Sequence, residues 1–270
     1  MTKDEFIVIC CSCLVVLALV VPDVLAQPPG AGTFLVASDD WCPYVCARNG
    51  KLSDGYLVDV LRLAIKPDAY QIELVLMPFR RALDEAESGT IQGVLTPPQD
   101  ARLLISEPLG YAHPCFYTRA SSSWTYTGID ALAHQTLGVI QNYNYDNGDL
   151  FAYIRKNRAN RQLIDEARGD FGGISNIRKL AAGRVTVIVE DEAVMPILLA
   201  GADAPSQIRL AGCLAYYEPL TLGLNRDDPR SIRFTETLNA AIEKLEATGS
   251  LAELRRRYKL SNPPGKEKKR

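Results

Sequence analysis

Short apolar runs alternate with amphipathic segments along most of this chain. Residues 34–37 are continuously apolar and predict a buried strand, whereas residues 56–65 repeat apolar side chains at helical spacing. Further strands are predicted at 72–76 and 91–95, with a helix at 80–88 between them. Strands that alternate with helices predict an α/β fold, in which helices cover a parallel sheet.

The same order of elements then starts again. Strands are predicted at 136–140, 162–164 and 185–189, and helices at 150–156, 174–182 and 193–199. One extended stretch, 108–119, separates the two halves, and a second, 216–225, follows the second half. Helices at 232–247 and 251–258 complete the pattern.

Two α/β lobes joined by two extended crossings predict a hinged clamshell. Each lobe would be a mostly parallel sheet flanked by helices. We expect lobe one to comprise residues 27–115 and 222–260, and lobe two residues 116–221. A body of this kind binds a small ligand in the crevice at the carboxyl ends of the strands.

The N-terminus has the pattern of an export signal. Residues 6–21 are almost unbroken apolar sequence, too short for a comfortable membrane span. Small residues then precede a predicted cleavage site after Ala26, so residues 1–26 are the predicted signal peptide. An uncleaved anchor is the alternative, because Lys3 is followed by two acidic residues. The protein is therefore expected to work outside the cytoplasm.

Charge argues against a nucleic-acid partner. The formal net charge is −2, and removal of the signal leaves equal numbers of acidic and basic residues. Nucleic-acid binding requires a basic face, which this balance does not favour. The C-terminal residues 261–270 end in a basic run after a Pro-Pro-Gly sequence, and we expect them to form a disordered tail.

Four cysteines remain after the predicted signal: Cys42, Cys46, Cys115 and Cys213. An even number in an oxidising compartment predicts disulfides. Of the three possible pairings we favour Cys42 with Cys46 and Cys115 with Cys213. A redox-active Cys42–Cys46 pair is an alternative. A zinc site is disfavoured because only His113 and His134 could add ligands.

Several motifs, in order, resemble a known family. They are WCPY at 41–44, GYLVDV at 55–60, PFRRAL at 78–83, Thr96 with Arg102, SEPL at 106–109, LGVI at 137–140, and GRV at 183–185 with EDEA at 190–193. Over residues 33–260 the chain resembles the periplasmic solute-binding proteins of the polar amino-acid type, bacterial extracellular solute-binding family 3. These are the receptor components of ABC importers.

The resemblance implies a type II periplasmic-binding-protein fold and a periplasmic receptor for a small polar ligand, an amino acid or a related organic acid. The lobes would close on this ligand, and the closed form would dock on an inner-membrane ABC permease. Closure is a population shift that the ligand's preference for the closed state drives. The resemblance implies binding without catalysis, with no cofactor and no metal, and we expect a monomer.

An α-amino acid is a zwitterion, so its site needs both a cation and an anion. Asp191 matches the family position that accepts the ligand ammonium, although it follows a strand and opens a helix, where it could serve only as a cap. Arginine suits a carboxylate because its donors form a fork. Arg102 matches the family position at a longer spacing from Thr96, and Arg81 is its rival.

Other candidate ligand contacts come from loops that follow strands. Trp41 and Tyr44 could form an aromatic wall, although core packing is the alternative for both. Thr96 could donate its hydroxyl to the ligand carboxylate. In lobe two the family has a Gly-Ser/Thr-Thr turn, whereas this chain has Asn142 and Tyr143, which offer an amide and a phenol.

Two other functions fit the same fold. A dehydratase-like enzyme would need a general acid in the cleft, for which Glu190 or Glu192 could serve. A sensor protein would present its ligand to a membrane receptor. We expect no catalytic residues, because no nucleophile and base have a persuasive spacing.

Overall fold

The computed structural model describes residues 32–66, 70–99, 101–141, 143–168, 171–202 and 207–261. The predicted signal peptide, Asn142 and all but the first residue of the predicted tail lie outside the described residues. Among the helices that the structure describes, none combines the length and the apolar character that a membrane crossing needs.

Two five-stranded sheets form the framework of two lobes. The first sheet has the order β4-β1-β5-β14-β6. Its strands are β1 (Thr33–Ser38), β4 (Gln71–Leu76), β5 (Gly93–Leu95), β6 (Leu103–Ile105) and β14 (Leu222–Asn225). Helices α1 (Tyr56–Ala64), α2 (Phe79–Ser88), α6 (Ser231–Ala247) and α7 (Ser250–Tyr258) belong to this first lobe.

The second sheet has the order β10-β9-β11-β8-β12. Its strands are β8 (Pro114–Arg119), β9 (Leu137–Ile140), β10 (Ile164–Ala167), β11 (Val187–Asp191) and β12 (Ile208–Cys213). Helices α3 (Asp149–Asn157), α4 (Gly172–Ala181) and α5 (Met195–Ala200) and the 3-10 helix Ile129–Leu132 belong to the second lobe. In each sheet three neighbouring strands are parallel. The fourth strand pairs antiparallel with the third, and the fifth pairs antiparallel with the fourth.

Alternating side chains bury both faces of each sheet. On β1, Phe34 and Val36 belong to one apolar cluster, whereas Leu35 and Ala37 contact the cluster on the opposite face. This alternation is expected because successive side chains of a strand point to opposite faces. Burial of both faces explains why the predicted strands are continuous apolar runs.

The strand order places a crevice at the same point of each lobe. The chain passes from β1 to β4 on one side and then to β5 on the other, and it passes from β9 to β10 and β11 in the same way. Loops that leave a central strand for opposite sides open a crevice at its carboxyl end. The residues that follow β1 and β9 are therefore placed where a ligand can bind.

Two adjacent crossings join the lobes. Strand β7 (Gly110–Ala112) pairs with β13 (Glu218–Leu220) in an antiparallel two-stranded sheet. The first crossing enters the second sheet at Pro114, two residues before the predicted start of lobe two. The second crossing returns to the first sheet at Leu222, the residue predicted to resume lobe one.

Most predicted elements are observed with shifts at their ends. The strand predicted at 162–164 forms instead at Ile164–Ala167. A hairpin of β2 (Cys46–Arg48) and β3 (Lys51–Asp54) was not predicted, and neither were β6 and β12. These strands are short or partly exposed, so they lack the long apolar runs that identify central strands.

The predicted disulfide pairing is confirmed. Cys42 is bonded to Cys46, and Cys115 is bonded to Cys213. The second bond joins β8 to β12, in which these two cysteines are register partners. Near it, His113 is close enough to both sulfurs to suggest a metal group, but disulfide sulfurs are not thiolate ligands.

Candidate functional site

A cavity of about 580 Å³ lies between the lobes, at the carboxyl ends of their parallel strands. Both lobes contribute to its wall, which is largely aromatic and aliphatic with a few polar groups. The polar lining side chains are Asp39, Asp40, Arg80, Gln141, Tyr143 and Glu190. A concave, mostly apolar site with a few convergent polar groups is the usual form of a small-molecule site.

A second, smaller cavity of about 70 Å³ shares part of this wall. Asp39, Trp41, Phe79 and Tyr143 line both cavities. The small cavity is completed by Thr96, Pro97, Pro98, Asn144, Glu218, Pro219 and Leu220. A ligand between the lobes can therefore occupy two compartments of different size.

Tyr143 connects the lobes across the cleft. Its hydroxyl donates to Asp39 Oδ2 at 2.8 Å, and its ring meets Phe79 edge-on at 6.1 Å between centroids. Burial, assisted by the Asp39 charge, raises the pKa of Tyr143 well above its ordinary value. The phenol therefore stays protonated and remains a donor. Because Tyr143 lines both cavities, this predicted residue lies in the candidate site.

Glu190 is the buried carboxyl of the larger cavity. It is 5% exposed and accepts the backbone N–H of Asp191 at 3.0 Å through Oε1. Burial raises its pKa to about 8, and no basic side chain of the described chain offsets this effect. Gly173 leaves space beside it, because a Cβ there would lie 3.1 Å from Glu190 Oε2.

The neighbouring Asp191 is not a lining residue, although it was the predicted acceptor for a ligand ammonium. Its carboxylate accepts the backbone N–H groups of His113 at 2.7 Å, Ala193 at 2.8 Å and Val194 at 3.1 Å. The Tyr44 hydroxyl donates to it at 3.2 Å. Burial raises its pKa to about 6 against the effect of these bonds. Its oxygens are already engaged, so the structure supports the capping interpretation.

The two predicted wall aromatics have different positions. Trp41 is half-buried and lines both cavities. Tyr44 is 2% exposed and stacks behind Trp41, with 4.5 Å between ring centroids. Tyr44 therefore supports the wall and connects it to Asp191, without facing the cavity itself.

Neither predicted arginine reaches the cleft. The Arg81 side chain is 68% exposed and pairs with Glu85 at 2.6 Å, one helical turn further along α2. The Arg102 side chain is 83% exposed and pairs with Glu87 at 3.2 Å. Arg80 does line the larger cavity, but it pairs with Asp84 at 2.7 Å. The expected arginine fork is therefore absent from the described wall.

Thr96 lines the small cavity in an unusual backbone conformation. Its φ is +55°, in the left-handed region that β-branched residues rarely adopt. Such strain costs about 1–3 kcal/mol and is commonly found at functional sites. The remaining predicted contact, Asn142, lies outside the described residues.

The sequence analysis did not identify several polar lining residues as ligand contacts, among them Asp39, Glu190, Asn144 and Glu218. Asp39 follows directly on β1, so its place after a central strand was a usable signal. Glu190 was considered only as an enzymatic acid. Asn144 lies in the loop after β9, so its place after a central strand was a usable signal as well. Glu218 has no local signal, because it joins the cavity from the crossing strand β13.

Acidic groups predominate in the site. Four carboxyl side chains line the two cavities, Asp39, Asp40, Glu190 and Glu218, against the single basic side chain of Arg80 among the described lining residues. Burial also raises the pKa of Glu218, to about 7. Opposite charge stabilises buried carboxylates, so the cleft favours a ligand with a positive or hydrogen-donating group.

Comparison with known proteins identifies the fold. No protein-family model matches the chain, and no curated protein matches it significantly. One similar solved structure is an ancestral arginine-binding protein bound to arginine, which is 20% identical in sequence. The match covers 84% of this chain and 98% of the arginine-binding protein, with a TM-score of 0.65. The chain has the periplasmic-binding-protein fold.

Two other structures share this fold over most of the chain. One, described in work on glutathione import through GshT and the cystine ABC importer of Streptococcus mutans, is 16% identical, covers 86% and 98% of the two chains and has a TM-score of 0.68. The other is a histidine kinase sensor domain with similarity to periplasmic binding proteins, 14% identical, covering 85% and 96%, with a TM-score of 0.68. The predicted fold class is thus confirmed.

Proposed function

We propose that this protein is a periplasmic solute receptor that binds an amino acid between its lobes and delivers it to an ABC-type permease. The observation that carries the proposal is the cavity between the lobes. A cavity of about 580 Å³ is lined by both lobes, and the Tyr143–Asp39 hydrogen bond crosses it. A ligand that touches both lobes stabilises the closed state, which is how a receptor of this fold would signal occupancy.

Glu190 is the proposed acceptor for the ligand ammonium. It is buried in the wall of the larger cavity, and burial raises its pKa to about 8. An ammonium beside it would favour the ionised carboxylate. In this proposal Glu190 takes the role that the sequence analysis gave to Asp191.

The ligand carboxylate is proposed to face the start of α4. Gly172, Gly173 and Ile174 begin this ten-residue helix and line the larger cavity. The first N–H groups of a helix lack partners within the helix, and they attract anions. This arrangement would replace the arginine fork with backbone donors.

The structural neighbours support the amino-acid class. One is bound to arginine, and another is an amino acid ABC transporter substrate-binding protein bound to L-arginine. By extension we propose export through a signal cleaved after Ala26, a periplasmic location, a monomeric receptor and the lobe boundaries predicted from the sequence.

Isothermal titration calorimetry of the purified protein against the common amino acids tests the proposal. We expect one or a few amino acids to bind at pH 8, and Glu190→Gln to weaken binding about tenfold or more because it removes an ionic hydrogen bond. Glu107→Gln is the matched control, since Glu107 is exposed and lines neither cavity. Failure of every amino acid to bind would overturn the proposal.

A sensor role is the second candidate, because a histidine kinase sensor domain shares this fold. The two roles differ in the membrane partner. Photo-crosslinking of the ligand-loaded protein in membranes of its own host would identify a permease subunit in the first case and a signalling receptor in the second.

We also propose that the ligand is released unchanged. A protonated Glu190 would have the character of a general acid, which a dehydratase-like enzyme needs. The test is an NMR spectrum of the ligand after long incubation with the protein. We expect no product, and the appearance of a dehydrated product would assign the enzymatic role.

A further inference from the structure

His113 lies in the hinge between the lobes, outside the candidate site. It follows β7 of the first crossing and directly precedes β8 of the second lobe. Its ring stacks on the ring of Tyr217, with 4.1 Å between centroids, and Tyr217 directly precedes β13 of the second crossing. The His113 side chain is only 14% exposed. It therefore packs between the two crossings, where the backbone must bend when the lobes move relative to each other.

Both ring nitrogens of His113 face hydrogen-bond acceptors. Nδ1 lies 2.9 Å from Glu192 Oε2, and Nε2 lies 3.0 Å from the backbone oxygen of Leu214. A neutral imidazole has one N–H donor and one lone pair, whereas an imidazolium has two donors. A neutral ring would place its lone pair against one of these oxygens, so the arrangement fits the imidazolium. The stacked Tyr217 ring also suits a cation.

Glu192 extends this contact to the first lobe. The oxygen that faces His113 also accepts the hydroxyl of Ser261 at 2.9 Å. Ser261 follows Leu260, which packs against the apolar core of the first lobe, whereas Glu192 follows β11 of the second lobe. The Glu192 side chain is 45% exposed, so it can turn to solvent when the ring no longer donates to it. The carboxylate thus joins the hinge to both lobes.

We propose that His113 is a proton-controlled latch of the hinge. As the imidazolium it holds Glu192 against Ser261 and favours the observed arrangement of the lobes. As the neutral imidazole it releases Glu192 and favours a more open arrangement. Histidine ordinarily changes charge between pH 5 and pH 8, so the latch would slow the entry and release of ligand in acid. The inference goes beyond the proposed function, because it concerns the hinge and is tested without a ligand.

Other titratable groups surround His113 and enter the design of the test. Besides Glu192, the described chain brings Asp191 and the stacked Tyr217 into contact with His113. Asp191 Oδ2 accepts the backbone N–H of His113 at 2.7 Å, and burial raises the pKa of Asp191 to about 6. Protonation of Asp191 in acid weakens this acceptor and opposes the latch. The pH response of the unmodified protein alone therefore does not isolate His113, whereas a comparison of variants does.

Double electron–electron resonance on the ligand-free protein measures how many molecules are open. Spin labels are attached through Lys156→Cys on α3 and Glu236→Cys on α6, two exposed positions in different lobes. Cys10, Cys11 and Cys13 of the predicted signal are replaced by alanine, and the other four native cysteines form disulfides. Only the introduced cysteines then react, and the distances are measured at pH 5.5 and pH 8.

The labelled parent and the His113→Gln variant should respond differently to pH. From pH 8 to pH 5.5 the ratio of open to observed arrangement should fall about fivefold further in the parent, since the parent gains about one hydrogen bond. Glu192→Gln should lose the same part of the response, and the double variant should lose no more. His134→Gln changes the other, exposed histidine and should respond as the parent does. Thermal unfolding verifies that each variant is folded.

Two results of this comparison would overturn the latch. One is an equal pH response in the parent and in His113→Gln. The other is a Glu192→Gln variant that keeps the full response of the parent. Neither result depends on whether an amino acid binds, so failure of the latch and failure of the proposed function are distinguishable.

NMR of the unlabelled, unmodified protein gives an independent readout. The chain has two histidines, so nitrogen-15 labelling of histidine gives two sets of ring signals, which His134→Gln assigns. At pH 5.5 both ring nitrogens of His113 should carry protons, with the Nδ1 proton shifted downfield by Glu192. At pH 8 the proton on Nε2 should remain, because it donates to Leu214. A His113 ring that is still neutral at pH 5.5 would contradict the proposal, whatever the variants show.

Discussion

Asp191 illustrates how a predicted ligand contact can have a structural role. Its carboxylate joins the end of β11 to the turn before α5 and also binds Tyr44 of the first lobe. Asp191→Asn should lower the free energy of unfolding by about 2 kcal/mol, because an amide nitrogen would face N–H donors that need an acceptor. Ligand affinity of the folded variant should change little. Chemical denaturation and titration measure the two effects, with exposed Asp227→Asn as control.

Thr96 provides a residue at which stability and binding should change in opposite directions. Thr96→Gly removes the strain of a φ of +55° and should raise stability by about 1 kcal/mol, since glycine adopts this conformation freely. It also removes a side chain from the small cavity, so we expect weaker ligand binding. Thr90→Gly, at an exposed position outside the left-handed region, should only destabilise the protein. A Thr96→Gly variant less stable than Thr90→Gly would contradict this account.

At this scale the sequence predicted an acidic side chain at the end of β11, but Glu190 lines the cavity and the predicted Asp191 does not. Glu190 and Asp191 are adjacent at one strand end, and the choice between them depends on Tyr44 and His113, which are 147 and 78 positions from Asp191. No local pattern contains that information. The exposure of Arg81, in contrast, was predictable, because Ala82, Leu83 and Ala86 mark the buried face of α2 and Glu85 is its partner one turn away.

Among the elements, the turn before α1 depends on one glycine. Gly55 has a φ of +117°, and a Cβ there would lie 2.5 Å from the backbone oxygen of Tyr44. Gly55→Ala should therefore cost about 3 kcal/mol or more, the sum of left-handed strain and displaced backbone. Gly50→Ala in the preceding β2–β3 hairpin is the matched control, with φ +74° and nothing within 4 Å. It should cost about 1 kcal/mol. Equal losses of stability in the two variants, measured by thermal unfolding, would show that the Tyr44 backbone moves aside at little cost in free energy.

The disulfides should differ in their contributions. Cys115 and Cys213 are 98 positions apart, whereas Cys42 and Cys46 are four apart. A cross-link stabilises chiefly by restricting the unfolded chain, and the effect grows with the enclosed loop. We expect Cys115→Ser with Cys213→Ser to cost about 4 kcal/mol and Cys42→Ser with Cys46→Ser about 2 kcal/mol. Denaturant midpoints of the two double variants test this order, and a reversed order would contradict it.

The elements themselves were largely predictable because burial on both faces gives central strands continuous apolar sequence. The pairings that complete the sheets were not predictable, since β14 inserts between β5 and β6 more than a hundred residues after them. The crossing strands β7 and β13 were predicted as extended, but their mutual pairing was not. That pairing carries Glu218 to the cavity, so a site residue depends on a long-range contact.

For the whole molecule, two buried carboxyl groups and one half-buried carboxyl group near the cleft predict how stability depends on pH. Burial raises the pKa of Glu190 to about 8, of Glu218 to about 7 and of Asp191 to about 6. Each group binds its proton more tightly in the folded state than in the unfolded state. The stability they contribute is complete below pH 4 and is lost as pH rises through these values. Without ligand, stability should thus fall between about pH 5 and pH 8, by up to about 1.4 kcal/mol per pH unit for each proton retained.

Denaturant unfolding of the ligand-free protein at pH 5, 6, 7 and 8 measures this slope, and Glu190→Gln isolates the largest contribution. The glutamine cannot ionise and resembles the protonated acid, so the variant should match wild type near pH 5 and exceed it near pH 8. An ammonium ligand favours the ionised carboxylate, and the wild-type protein should therefore bind its amino acid more tightly as pH rises over the same interval, with release of a proton. A variant whose stability follows the wild-type curve would show that the Glu190 carboxyl is hydrated in the open state. Ligand binding would then displace water from Glu190 and would release no proton.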